Sequence, residues 1–249
     1  MLAKRNSHPR DSLISFVEET HVYTVDGKKY KSVTTVIHDF FPKFDADHII
    51  DKMMRSSNFW SGKYRGMTKR EIKDQWEHNR VEAANAGTNL HKDIENFING
   101  DLPENPDSTE FIYFLNFWHE IVIENFKPYR TEWIIHSKDG IAGSIDCVLV
   151  NEDDELVLLD WKRSKEIKMT NQWEKGYGPF KHFDNCNYNH YTLQLNIYRH
   201  ILESEYSKKV IGMFNVVLHP NADNYQLIEI KEINVKSFWA QITEGILNY

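Results

Sequence analysis

The chain has 249 residues, 41% apolar and 27% charged, a globular mixture that suits one large domain or two small ones with a sizeable core. No run of about 18 apolar residues occurs, so no segment reads as membrane-spanning. The basic start, residues 1–10, lacks the apolar stretch of a secretory signal, while a short mitochondrial-type transit segment stays open. Two cysteines, Cys147 and Cys186, fit a reducing, intracellular, cytoplasmic setting and cannot hold a four-cysteine cluster. A net charge of −7 is not that of a typical nucleic-acid binder, so only a local excess of cations argues for one.

In chain order, residues 21–25 and 28–33 read as a hairpin closed by Asp26-Gly27, a strong two-residue turn. Ser32 or Thr34 caps a short helix that ends before Pro42. Residues 45–54 read as helix. Residues 68–98 read as mostly helical, with a break at Gly87 and a stop at Gly100. A helix over 108–125 ends at Pro128. Strands follow at 130–136, 141–150 and 155–161, then a helix over 188–203 and strands at 210–218 and 225–230. A last helix, 235–247, starts at a capping Asn234. No repeat and no Pro/Gly-rich linker divides the chain, so one domain is expected, with residues 1–67 elaborating a catalytic core of 68–249. The element order makes it an α/β protein, a sheet with helices on its faces.

The densest chemistry lies at residues 143–162. Side chains alternate faces along a strand, so Asp160 and Lys162 project to one side, and an adjacent antiparallel strand brings Asp146 beside Asp160. Close carboxylates repel unless a cation lies between them. A lysine one pleat step away then faces whatever that cation holds, the layout needed to hydrolyse a phosphodiester with a hard divalent metal. Taken alone, Asp-x-Lys at a strand end is more often a solvated end. The apolar run 156–159, buried on both faces, weighs against that here.

Two helices add polar pairs at a spacing of four residues, hence on one face: His91 with Glu95, and Gln194 with Tyr198. From Lys162 to Lys181 six basic residues meet two acids, Glu166 and Glu174. Arg163 and Lys165 lead this local basic patch, interleaved with Trp173, Tyr177 and Phe180, and suit phosphate contact and base stacking. An ordinary surface loop with core-facing aromatics is the rival reading. His182, Cys186 and His190 share a helical spacing that suggests part of a zinc site, without an evident fourth ligand.

His91 after Gly87-Thr88, Asp146 in Gly-Ser-Ile-Asp, Asp160-Trp161-Lys162, then Gln194 and Tyr198, occurring in this order over residues 87–198, resemble the PD-(D/E)XK nuclease superfamily. Within it the likeness is to the RecB-type exonuclease branch, which includes mitochondrial genome-maintenance exonucleases and CRISPR adaptation nucleases. Ile145 replaces the proline of the family name. The resemblance implies a restriction-endonuclease-like core, a central mixed β-sheet flanked by helices. It implies a metal held by His91, Asp146, Asp160 and the Trp161 carbonyl, with Asp146, Asp160 and Lys162 catalytic. Gln194 and Tyr198 lie beside the substrate, and Glu132 and Glu95 are outer acids. With two cysteines no iron–sulfur cluster is expected. Members of this kind occur in viral and phage replication genomes, which the Lys, Asn, Ile and Tyr usage would fit.

Two carboxylates and a neutral imidazole leave room for water and a phosphate oxygen around Mg2+ or Mn2+. The expected activity is metal-dependent hydrolysis of DNA, as an exonuclease on single-stranded ends in replication, repair or recombination, with proteins of those processes as partners. Two rivals remain: an endonuclease on DNA or RNA built on the same core, and a non-catalytic nucleic-acid-binding module. Gln194 with Tyr198 favours the first reading over the endonuclease, and the intact His91, Asp146, Asp160 and Lys162 argue against the module.

Overall fold

The computed structural model describes residues 1–244 and residue 246. These form two compact units, one of residues 1–42 with 90–249 and one of residues 43–89. In the first unit a short helix α1 (Leu2–Arg5) precedes β1 (Ile14–Val17), β2 (Val22–Val25) and β3 (Lys28–Ser32). The expected hairpin is β2–β3, and its turn places both Asp26 (φ 48°) and Gly27 (φ 76°) in the left-handed region, as a type I′ turn requires. Strand β1, too short and mixed to show a clear alternation in the sequence, adds to β2. Ser32 caps α2 (Val33–Asp39) by accepting from the Thr35 amide at 3.0 Å.

The second unit contains α3 (Ala46–Met54), capped by Asp45, a 3-10 turn at Ser57–Ser61 and the first part of α4 (Lys69–Asn99). Its small core is Ile50, Phe59 and Ile72. Helix α4 has no break at Gly87. Glycine costs a helix only about 1 kcal/mol relative to alanine, too little to interrupt a segment rich in alanine there. It stops at Gly100 (φ 86°), as expected.

Helix α5 (Thr109–Phe117), capped by Ser108, ends in a wide π turn at Trp118–Val122. Then come β4 (Lys127–His136), β5 (Ile141–Val150) and β6 (Leu156–Lys162). Pro128 lies inside β4 instead of merely ending the helix before it, and the β4–β5 register shifts beside it. Helix α6 (Asn187–Glu205), β7 (Val210–Val217), β8 (Gln226–Glu229), a 3-10 turn at Val235–Ser237 and α7 (Trp239–Thr243) complete the order. The Asn234 side chain makes no cap here, and its carbonyl accepts from Ser237 instead. The expected helix over 235–247 is split at Phe238, and its end at 245 and 247 lies outside the described residues.

The fold is mixed α/β. Among the described residues eight strands form one sheet in the order β1-β2-β3-β5-β6-β7-β8, with β4 paired to β5 and with both parallel and antiparallel neighbours. Helices α2 and α6 cover one face through Val36, Ile37, Leu193, Ile197 and Ile201, packed on Leu156 and Leu158. Helix α5 and the end of α4 cover the other through Phe111, Phe114, Phe117 and Ile94, packed on Val157, Leu159 and Trp161. Strand β6 is therefore buried on both faces, which is why it reads as an unbroken apolar run.

The pairing around β5 creates the opening that matters. Strand β4 pairs β5 from Ala142 to Val150 along one edge. On the other edge β3 takes Ile141 and Ala142, and β6 takes Cys147 to Val150. Residues 143–146 on that edge lie between two diverging strands.

Candidate active site

Asp146 sits at this divergence. The flanking registers put Glu132 of β4 across from it on one side (Thr131↔Cys147, Trp133↔Ile145). They put Asp160 of β6 across from it on the other (Cys147↔Leu159). Side chains directly opposite on neighbouring strands share a face, so three carboxylates stand in a row across three strands. The backbone bends to hold this row: Glu132 has φ 42°, left-handed geometry that a non-glycine residue seldom adopts within a strand. Such strain clusters at functional sites.

The flanks differ. Asp160 is buried and saturated with donors: Lys162 Nζ at 2.6 Å, Asn215 Nδ2 at 2.7 Å and Gln194 Nε2 at 3.3 Å. Burial raises its pKa to about 6, with Lys162 working in the opposite direction. Burial works to lower the Lys162 pKa, but Asp160 and Asp146 outweigh it and hold the ammonium charged. The Lys162 ammonium also lies 4.3 Å from the centre of the Tyr191 ring, a cation–π contact. Glu132, by contrast, accepts among the described residues only from Ser144 Oγ at 2.9 Å, and its carboxyl is pushed up to about 8 by burial first and Asp146 second.

His91, from the last turns of α4, completes the cluster. Its Nε2 lies 3.0 Å from the Trp161 carbonyl and its Nδ1 3.6 Å from Asp146 Oδ2, which also accepts from the Trp161 amide at 2.9 Å. Among the described residues, His91, Glu132 and Asp146 each offer a ligand atom, all within 4.8 Å of one another. The donor set is imidazole plus carboxylates, one of them half-buried and short of donors, and it fits a divalent cation. Asp160 lies beside this trio, turned toward Lys162 and Asn215. Glu132, expected as an outer acid, stands with His91 and Asp146 in the trio that could hold a metal ion. Glu95 is half-buried on α4, its pKa raised by burial and then by Glu18.

Gln194 and Tyr198 converge as expected, Gln194 Nε2 lying 3.4 Å from the Tyr198 hydroxyl, and both are buried. Tyr198 runs under Gly143: a Cβ there would come within 2.6 Å of the ring, so only glycine lets the helix approach the strand. Arg163 is tied to Glu110 at 2.7 Å, whereas Lys165 is exposed. The supposed zinc spacing does not form. Helix α6 begins at Asn187, so His182 and Cys186 lie outside it, and His190 pairs with Asn185 at 3.0 Å. Burial lowers the His190 pKa to about 4.

Three contributors escaped the sequence reading. Asn215 is a fully buried polar residue in the apolar strand β7, a signal that could have been read; its Oδ1 has no partner among the described residues. Tyr23, from the N-terminal hairpin, packs beside the acids, its pKa raised to about 12 by burial, Glu132 and Asp146. Only the pairing of β3 with β5 brings it there. Tyr191 lies one helical turn before Gln194 and carried no signal of its own.

No protein-family model and no curated protein matches this chain. Among solved structures, it is similar to a "Putative exonuclease" from Eubacterium rectale, with a TM-score of 0.40 and 13% identity over 65% of each chain. It is also similar to SSO0001, with a TM-score of 0.32 and 18% identity over 56% of this chain and 58% of that one. The chain spans less than two thirds of the length of either. Among the described residues no helix is long and apolar enough to cross a membrane.

Proposed function

We propose that this protein is a metal-dependent nuclease that hydrolyses DNA phosphodiester bonds, acting as an exonuclease on single-stranded ends. The observation that carries this reading is the row Glu132, Asp146, Asp160 across β4, β5 and β6, with His91 at one side and Lys162 one pleat step beyond. A cluster of buried and half-buried acids with one lysine is electrostatically incomplete, and a hard cation would complete it. His91, Glu132 and Asp146 would hold Mg2+ or Mn2+, with Asp160 and the Trp161 carbonyl adjacent, and the cation would supply Lewis acidity toward a phosphate oxygen.

The chain's own groups do the rest. Asp160 and Tyr191 hold the Lys162 ammonium at the edge of the cluster, where it orients the attacking water or offsets charge developing on the phosphate. Gln194 and Tyr198 fix Asp160 from the helix side. Lys165, Lys168 and Trp173, which is 92% exposed, offer phosphate contact and a stacking surface to an unpaired strand. On this reading the whole chain is one nuclease domain, residues 1–67 elaborating a core of 68–249, in the RecB-type branch of the PD-(D/E)XK superfamily.

The test uses end-labelled and circular substrates, single- and double-stranded, DNA and RNA, with Mg2+, Mn2+ or EDTA. Metal-dependent shortening of linear single-stranded DNA, with circles untouched, is the expected result. Cutting of circles would replace it with an endonuclease, and inertness toward every substrate would overturn it.

A further inference from the structure

The strongest run of uncompensated positive charge in this acidic chain lies in the second unit. Residues 52–70 contain Lys52, Arg55, Lys63, Arg65, Lys69 and Arg70 and no acid. The segment 162–181, with the same number of cations, contains two acids. Pairing widens the contrast. There, Lys162, Arg163 and Lys175 are engaged by Asp160, Glu110 and Asp184. Here, Lys69 pairs with Asp47 and Asp51, and Arg70 lies 3.7 Å from Asp74. Lys52, Arg55, Lys63 and Arg65 are exposed and have no carboxylate partner among the described residues.

These cations ride on an ordered scaffold. The Ser56 amide donates to the Met53 carbonyl, Phe59 to Ser56, Gly62 to Phe59, Arg65 to Gly62 and Met67 to Tyr64, a succession of tight turns that keeps residues 53–67 together. Phe59 anchors the middle turn in the small core with Ile50 and Ile72. Its neighbour Trp60 is left 66% exposed. Tyr64 accepts a hydrogen bond from Trp76 Nε1 at 2.8 Å, and the Lys63 ammonium lies 5.4 Å from the centre of its ring. An exposed indole amid free cations leaves a large apolar face in water unless a ligand covers it. Phosphates need charge and unpaired bases need a flat ring, and this surface supplies both.

We propose that residues 52–65 form a second nucleic-acid-binding surface, in which Lys52, Arg55, Lys63 and Arg65 hold the phosphates of a single strand and Trp60 stacks one of its bases. The proposal extends the nuclease reading without depending on it, because binding can be measured where no cleavage occurs.

The experiment is fluorescence anisotropy of the full chain in EDTA, with a labelled oligothymidylate, a labelled hairpin duplex and phosphatidylserine vesicles, each over a range of salt. K52Q/R55Q/K63Q/R65Q and W60A are compared with the parent; all five positions are exposed, and unchanged melting curves verify folding. The quadruple variant should lose at least about tenfold in affinity for the single strand. Its slope of log affinity against log salt should fall by about 2 to 3, at roughly 0.7 per phosphate released. W60A should lose at least about fivefold with its slope unchanged. A parent that binds no oligonucleotide, a quadruple variant with unaltered affinity and slope, or binding to vesicles in place of oligonucleotides would overturn the proposal. A W60A variant that binds like the parent would overturn the stacking role. Binding that behaves as expected in a protein that cleaves nothing with Mg2+ or Mn2+ would defeat the nuclease reading and leave this one standing.

Discussion

The two flanks of Asp146 hold the same kind of group in opposite states. On the β6 side Asp160 is neutralised from within, by the ammonium of Lys162 and the amides of Asn215 and Gln194. On the β4 side Glu132 has one hydroxyl donor, a left-handed backbone and a carboxyl pushed up to about 8. A buried carboxylate without a cationic partner gives up its charge. The β6 flank thus has its positive charge within the protein, while Glu132 has no cationic partner among the described residues. On the proposed function the contrast gives the two acids different work: Glu132 would take part in cation capture, and Asp160 would hold Lys162.

The largest effect should come from the residue between the flanks. Asp146→Ala should slow cleavage of end-labelled single-stranded DNA by at least about 100-fold, the several kcal/mol expected of metal activation. It should also abolish heat on Mn2+ titration. Retention of more than a tenth of the parent rate would remove Asp146 from the cluster.

On the β6 flank, Asp160→Asn should abolish cleavage and also destabilise the fold by about 3–5 kcal/mol, because it strands a buried ammonium. Adding Lys162→Met should restore much of that stability in urea melts and none of the activity. Lys162→Met alone should lose turnover while calorimetry finds cation affinity nearly intact. If it is cation binding that disappears, the division between the flanks is wrong.

On the β4 flank the signature is a dependence on pH. The folded pKa of Glu132 lies above its ordinary value of 4.5, so between about 4.5 and 8 the folded state binds more protons than the unfolded one. Stability of the metal-free protein from this group should therefore be greatest below that window and fall as pH rises through it. Glu132→Gln should flatten the fall in melting temperature between pH 5 and pH 8, and Mn2+ should flatten it in the parent. An equally steep fall in the variant would mean that Glu132 is not the group responsible.

His91→Ala should have the smallest effect. It removes one neutral ligand among charged ones, so weakened binding should be offset by millimolar Mn2+ through mass action. Full activity at low Mg2+ would leave His91 with only its bond to the Trp161 carbonyl.

That Asp160 and Lys162 share a face was legible because a strand has a period of two and β6 is apolar on both faces; that they are more than a solvated strand end rested on the other motifs of the chain. The Asp26-Gly27 turn and the pairing of Gln194 with Tyr198 by helical spacing were legible in the same way, and of the two candidate caps, Ser32 and Thr34, it is Ser32 that accepts from Thr35. Asp146 beside Asp160 was expected from an antiparallel pairing of their strands, and the β5–β6 register bears it out. The standing of Glu132 was hidden: nothing in Thr131-Glu132-Trp133 announces a positive φ, which is imposed where β4 follows β5 across the acid row. Tyr23 and Asn215 reach the acids only through pairings with β5 and β6 that join residues far apart in the chain. Local periodicity and turn chemistry act over a few residues and are written in the sequence. The surroundings of a carboxylate, and with them its charge, are assembled from elements far apart in the chain, as Asn215 is 55 positions from Asp160, and exist only once the sheet has formed.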